Sequence, residues 1–320
     1  MLRDFLFEPL SFRFVLLSMN QKQTVLITGG SGLIGTRLTE LLMTKGFSVT
    51  HLSRKSNPLS KIKTFEWNVE KQKIDPQAIE TADCIIHLAG EGIVDKKWTT
   101  KRKQAIIDSR VNSAKLLFKA ISEASHKPKA FISASAIGIY GAVTGDKIYS
   151  EQDNAATDFT GITCTTWETA AHQFESLMRV AIIRIGIVLA TQGGALPQIA
   201  RPIKFFAGSP LGTGNQYVPW IHIDDVSRIF IQAIENTSMH GTYNAVAPQH
   251  ITQKELTQAI AKALKRPLFF PNVPAFLLKI MLGERAPLVL EGSRVSSDKI
   301  SRTGYKFEHT NIDEALQTLL

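Results

Sequence analysis

A chain of 320 residues, 44% hydrophobic and 20% charged, has ordinary globular composition and room for one large domain plus a smaller one. Its +9 charge is spread along the chain, and its short basic runs (Arg54-Lys55, Lys96-Lys97, Lys101-Arg102-Lys103) lack interleaved stacking aromatics. That pattern argues against nucleic acid and for a basic surface that favours small anions. The two cysteines, Cys84 and Cys164, show no metal-like spacing and no disulfide framework, so no metal is expected and a reducing, cytoplasmic setting fits.

Residues 1–19 carry apolar side chains interrupted by Arg3, Asp4, Glu8, Pro9 and Arg13, so neither a signal peptide nor a membrane span is expected. Met19 stands just before the first strand, and residues 1–19 are read as a non-native or disordered extension with translation starting at Met19. Strand-like runs then follow at 24–27, 48–52, 64–66, 84–88, 130–133 and 181–188, several of them continuously apolar as in parallel strands buried on both faces. Helical patterns lie between them at 33–45, 99–124 and 167–178, with Gly46 as a left-handed stop for the first. This alternation predicts an α/β fold with a Rossmann-type doubly wound parallel sheet. Past residue 189 a Gly- and Pro-rich connection begins, followed by a helix at 224–235 and a strand at 242–246. Thr252 and Glu255 make a capping box, and Asn311 and Glu314 are placed to cap a last helix. Residues 20–190 and 221–248 are therefore assigned to a nucleotide-binding domain, and 191–220 and 249–320 to a small C-terminal α/β unit on the substrate side.

Thr28-Gly29-Gly30-Ser31-Gly32-Leu33-Ile34-Gly35 follows the first strand and opens the first helix. Glycine tolerates positive φ and lets backbone approach a pyrophosphate, while the N–H groups of Leu33 and Ile34 and the helix dipole favour anions. Strand, glycine turn, helix and second strand together point to a dinucleotide. The second strand ends His51-Leu52-Ser53-Arg54-Lys55 without the carboxylate that would bond an adenosine ribose. Arg54 and Ser53 instead suit a 2′-phosphate, so NADP is the expected cofactor; the alternative for Arg54 is a surface arginine in a loop. Trp67-Asn68 either meets an adenine edge or, for Trp67, belongs to the core. Leu88-Ala89-Gly90 forms a second small-residue turn where backbone can approach the cofactor.

These segments, with Arg110-Val111-Asn112-Ser113, Ser133-Ala134-Ser135, Tyr140-Gly141, Arg184-Ile185-Gly186 and the run from Trp220 to Val226, resemble the extended short-chain dehydrogenase/reductase superfamily of NAD-dependent epimerase/dehydratase type. Glu91, Trp98, Asp108-Ser109-Arg110, Trp167-Glu168 and Leu290-Glu291-Gly292-Ser293-Arg294 resemble, more narrowly, the YfcH-like epimerase family with its C-terminal domain of unknown function. The superfamily's chemistry uses a Tyr-x-x-x-Lys pair on one helix face, where the ammonium lowers the phenol pKa. No tyrosine here has a lysine four positions on, and Thr160 and Cys164 take those places when the helix is aligned on Glu168.

The resemblance implies Ser135 as the hydroxyl that orients substrate, with a turn cap as its alternative. The proton donor is left among Tyr140, Glu168 and water. Asn112, Ser133, Arg184, Ile187 and Val188 match cofactor-side positions, alongside Gly29, Gly32, Leu33, Ile34, Gly35, Ser53, Arg54, Leu88, Ala89 and Gly90. Glu91, Trp98, Lys101, Arg102 and Arg110 line the substrate side or form a solvated helix face, and His87 and His222 read as structural. The expected function is an NADP(H)-dependent oxidoreductase or epimerase-like enzyme acting on a small polar substrate, a nucleotide sugar among the candidates. The alternative is a regulatory protein that holds NADP(H) without turnover, for example linked to cell division. Neither nucleic acid nor a membrane is an expected partner, and the chain is expected to act as a monomer or homodimer.

Overall fold

Val25, Leu26 and Ile27 are fully buried, as an unbroken apolar run must be when helices cover both faces of its strand. The computed structural model describes residues 22–55 and 61–320, so the extension expected at 1–19 lies outside the described residues. Chain order runs β1 (Thr24–Thr28), α1 (Leu33–Thr44), β2 (Ser48–Ser53), β3 (Lys63–Asn68), β4 (Lys73–Ile74), α2 (Gln77–Glu80), β5 (Cys84–His87), α3 (Thr100–Glu123) and β6 (Ala130–Ala136). It continues with β7 (Ile148–Tyr149), α4 (Phe159–His172), β8 (Arg179–Ile185), β9 (Ile187–Ala190), β10 (Gly193–Gly194), α5 (Ala195–Lys204), β11 (Trp220–His222), α6 (Ile223–Glu235) and β12 (Gly241–Ala245). The remainder holds α7 (Gln253–Ala263), α8 (Ala275–Leu282), α9 (Pro287–Leu290), β13 (Arg294–Val295), α10 (Asp298–Arg302) and α11 (Ile312–Leu319).

The main sheet has eight strands in the order β12-β8-β6-β5-β1-β2-β3-β4, parallel except for β4, which pairs antiparallel with β3. Strand order reverses between β1 and β5, whose registers align Thr28 with His87 at their carboxyl ends. In such sheets this switch point is where a crevice for ligands opens. The fold is thus the doubly wound α/β sheet read from the sequence.

Three elements differ from the sequence reading. The helix expected at 167–178 instead begins at Phe159, capped by Asp158, whose side chain accepts from Gly161 N–H. Its first turns, Phe-Thr-Gly-Ile-Thr-Cys, are poor helix formers that burial against the sheet overrides. The run expected as one strand at 181–188 is broken at Gly186, where a Cβ would lie 2.4 Å from the Pro219 carbonyl oxygen. The Gly- and Pro-rich connection contains α5, whose Leu196, Ala200 and Ile203 are buried. Gly46 does stop α1 at φ +91°, and the Thr252–Glu255 capping box is formed.

One core cluster joins the sheet face (Ile27, Ile86, Ile132) to α5, α7 and α11 through Leu196, Leu256 and Leu316. The C-terminal segment is further fastened by Asp225, fully buried on α6. Its carboxylate accepts from the Tyr305 hydroxyl at 2.8 Å and from the backbone N–H groups of Glu308 and His309 at 2.9 and 3.0 Å. Among the described residues no helix is long and apolar enough to cross a membrane.

Candidate functional site

The turn after β1 is built by steric exclusion. Gly29 sits at φ +71°, and a Cβ on Gly35 would lie 2.4 Å from the Gly29 carbonyl oxygen. The third glycine therefore lets α1 close onto the loop, while a Cβ on Gly32 would meet only the Gly29 oxygen, at 3.2 Å. Gly32 N-caps α1 with no side-chain hydrogen bond, and the first turn holds no acidic residue. With no side-chain cap among the described residues, the N–H groups of Leu33 and Ile34 fit a phosphate of a bound dinucleotide. A Cβ on Gly30 would overlap the His51 ring at 2.5 Å, and His51 bonds Thr39 at 2.9 Å, so β2 braces the loop from below.

Ser53 ends β2, half-buried, and Arg54 follows it exposed. Trp67 lies in the core, and exposed Asn68 closes a turn by accepting from Lys71 N–H. Across the crevice, the loop after β5 brings more cations. Glu91 is held below the usual carboxylate range by its hydrogen bond to Arg102, 2.7 Å, with further help from the charges of Arg54 and Lys96.

Thr28 ties the two glycine turns together. Its hydroxyl accepts from the N–H groups of Leu88 and Ala89 and lies 2.7 Å from His87 Nδ1, while His87 Nε2 lies 3.1 Å from Ser113 Oγ. Ser113 itself donates to the Arg110 carbonyl, so the network assigns the neutral Nε2–H tautomer. Complete burial, reinforced by the Arg110 charge, pushes His87 down to about 3. His87 is structural, as is His222, which caps α6 and stacks on His309. Arg110 lies beneath Gly90, 4.7 Å over the Trp167 ring, and donates to the carbonyls of Glu91 and Ile106. Asn112 is half-buried on the same helix.

Ser135, Tyr140 and Glu168 come together in one buried network, and its hub is a residue assigned from sequence to the cofactor side. Arg184, register partner of Ser135, donates from Nε and Nη2 to the two Glu168 oxygens at 2.8 Å each and from Nη1 to the Tyr140 hydroxyl at 2.9 Å. Ser135 donates to Glu168 Oε1 at 2.6 Å, and Tyr140 donates to Asn244 Oδ1 at 2.7 Å. Exposures of 1% for Ser135, 2% for Tyr140, 6% for Glu168 and 7% for Arg184 show that the group is closed to solvent.

Burial opposes the Arg184 charge, but the Glu168 carboxylate outweighs it and holds the guanidinium protonated. Burial also pushes the Tyr140 phenol up to about 12 and, with the Glu168 charge, the Cys164 thiol up to about 12. Both are protonated at neutral pH. Thr160 donates to Asp158 at 2.8 Å, so neither position of the missing Tyr/Lys pair holds a strong acid or base. Ser133 is fully buried with its hydroxyl on the Ala134 carbonyl. Ile187 and Val188 are half-buried at the start of β9. Neither Arg184's hub position nor Asn244's role was readable locally, because their partners lie 16 to 104 residues away in sequence. Among the described residues no cluster of His, Cys, Asp or Glu could hold a metal ion.

The family model for the NAD dependent epimerase/dehydratase family matches residues 25–246, and a domain of unknown function (DUF1731) matches residues 273–319. Epimerase family protein SDR39U1 of Homo sapiens is 32% identical over 298 residues, spanning 92% of this chain and 99% of the human protein. The crystal structure of that human protein (isoform 2) with NADPH is similar to this fold at TM-score 0.84, over 93% of this chain and 99% of that one. Epimerase family protein YfhF of Bacillus subtilis (strain 168) is 33% identical, spanning 92% of this chain and 97% of its own length. A nucleoside-diphosphate sugar epimerase from Corynebacterium glutamicum, 30% identical, matches at TM-score 0.75 over 95% of this chain and 60% of that one. With the glycine turn, the switch-point crevice and these likenesses across most of its length, the chain belongs to the NAD dependent epimerase/dehydratase family.

Proposed function

We propose that the protein binds NADP(H) at the glycine turn and acts as an oxidoreductase or epimerase-like enzyme on a small molecule. The carrying observation is the uncapped N-terminus of α1 beside a β2 end that offers Ser53 and Arg54 and no carboxylate. Leu33 and Ile34 N–H would hold the pyrophosphate, and Arg54, with Lys96 across the crevice, would pair with a 2′-phosphate. The NADPH described with the human relative supports the same choice. A nicotinamide bound there supplies or accepts a hydride. Ser135 donates its own proton to Glu168, so its hydroxyl is held in one orientation and has no proton to offer a substrate. Arg184 fixes the orientation of Glu168 and so of Ser135.

The closed network also favours a second reading. With Tyr140 fully engaged and Thr160 and Cys164 at the family's acid/base positions, the chain could hold NADP(H) as a regulatory protein without turning it over. Fluorescence titration with NADPH and NADH tests the cofactor choice. Arg54→Ala is expected to weaken NADPH about tenfold, the scale of one charge-assisted hydrogen bond, and to leave NADH nearly unchanged. Equal losses for the two would overturn the assignment of Arg54.

A further inference from the structure

A cleft of about 620 Å³ lies on the carboxyl side of the main sheet, a volume that suits a small organic ligand. Trp98, in the β5–α3 connection, and Asp158, in the β6–α4 connection, stand on one side of it, with Phe159 and Thr160 on the first turn of α4. The opposite wall is α9 from the C-terminal segment, with Pro287, Leu288 and Leu290 facing the cleft. Trp98 and Phe159 meet edge to face at 4.7 Å, and the Lys103 ammonium lies 5.9 and 5.4 Å from their ring centres.

The charges in this cleft are poorly arranged for a nucleoside diphosphate. Among the described residues its lining has two lysines, Lys103 and Lys279, against three carboxylates, Asp158, Glu284 and Glu291, and no arginine. Lys103 is already paired with Glu284, and Lys279 is exposed at the lip. Asp158 is turned to Thr160 and the Gly161 N–H, and Glu291 accepts from Thr144 at 2.6 Å. A diphosphate here would find no bidentate partner, and of the two lysines one is already paired. The aromatic and aliphatic walls reward the opposite kind of ligand, one that removes apolar surface from water.

We propose that the substrate is an uncharged, mainly apolar carbonyl compound, or the corresponding alcohol, seated between the Trp98–Phe159 ring pair and α9, and not a sugar nucleotide. The inference rests on the nicotinamide reading for its chemistry. In reduction the carbonyl carbon gains a hydride and the oxygen a proton from water, while NADPH becomes NADP⁺; oxidation of the alcohol runs in reverse. Thr160, in the cleft lining on the first turn of α4, lies at the position that the family's phenol takes when the helix is aligned on Glu168.

Calorimetric titration of the full chain, with and without NADPH, tests this with 2-acetylnaphthalene as the neutral probe and UDP-glucose as its competitor. The neutral ketone is expected to bind at one site at least tenfold more tightly than UDP-glucose. Leu288→Asp, which adds a carboxylate to the apolar wall, and Trp98→Ala, which removes a ring, should each weaken the ketone tenfold or more with NADPH affinity unchanged. Tighter binding of UDP-glucose, absence of ketone binding, or ketone binding indifferent to both substitutions would overturn the proposal. Failure of the unmodified chain to bind NADPH would instead overturn the cofactor reading, and the ketone titration without NADPH would still report on the cleft.

Discussion

Two neighbouring regions at the carboxyl edge of the sheet are built in opposite ways. At the end of β1, a turn of glycines leaves the N–H groups of Leu33 and Ile34 without a side-chain cap among the described residues. At the ends of β6 and β8, Ser135, Glu168, Arg184 and Tyr140 bond one another and are shut from water. The first region is a set of unmet backbone valences waiting for an anion. The second is a finished ion-pair network occupying the neighbourhood where the superfamily keeps its acid and base. Binding and catalysis are therefore separable in this chain, and each can be disturbed without the other.

The largest separation is expected at Arg184. Arg184→Met leaves the Glu168 carboxylate buried without a counter-charge, and breaking such a pair costs about 3–5 kcal/mol. Urea unfolding should show that loss, while the folded fraction keeps its NADPH affinity because the glycine turn is untouched. The double variant Glu168→Leu/Arg184→Met should recover most of the stability, since well-packed apolar replacement of both partners removes the buried charge. A loss below about 1 kcal/mol for Arg184→Met would mean that water reaches the pair.

His87 underlies the open region and gives the next effect, through pH. Its folded value of about 3 lies below the ordinary value near 6.5, so between these limits the unfolded chain binds a proton that the folded chain does not. Its contribution is complete above about pH 6.5 and is lost as pH falls toward 3, at about 1.4 kcal/mol per pH unit. Lowering the pH from 6.5 to 4.5 should thus cost about 2.3 kcal/mol from this group, since at pH 6.5 the unfolded histidine is already half protonated. His87→Gln should flatten the urea-midpoint profile over that window. An unchanged slope would show that other groups carry the acid sensitivity.

The two glycines that differ most in surroundings divide stability from binding within the loop itself. A Cβ on Gly35 meets backbone at 2.4 Å, so Gly35→Ala should lower unfolding stability by about 2 kcal/mol and also weaken NADPH. A Cβ on Gly32 meets little of the protein, so Gly32→Ala should leave stability nearly unchanged and weaken NADPH alone, through the space where a pyrophosphate approaches. Equal stability losses for the two would refute this division.

The same contrast explains what could be read from the chain. The glycine turn, the alternation of strands and helices, the Gly46 stop and the Thr252 capping box are local or periodic features whose causes lie within a few residues. The closed network is not local. Ser135, Tyr140, Glu168 and Arg184 were each visible as candidates, yet only the β6–β8 register and the packing of α4 put Arg184 among the other three. The N-terminal half of α4 was missed for a related reason, since its threonines and Gly161 have weak helix propensity and only Asp158 signals the start. The ring pair and α9 that wall the cleft come together from residues 98, 159 and 287–290, a juxtaposition that no sequence spacing announces.

The smallest expected effect carries the sharpest distinction. Tyr140 was a candidate proton donor, but its hydroxyl donates to Asn244 and accepts from Arg184, and burial raises it to about 12. Tyr140→Phe removes two buried hydrogen bonds while keeping the ring, so unfolding stability should fall by about 1 kcal/mol and NADPH affinity should stay within about twofold. Should the closed network serve only to hold Ser135 in place, any hydride exchange the wild type shows with a carbonyl substrate will fall less than tenfold in this variant. A phenol acting as the proton donor contributes about 10²–10⁴-fold to such a step, so a loss on that scale would reopen the network as an acid/base device.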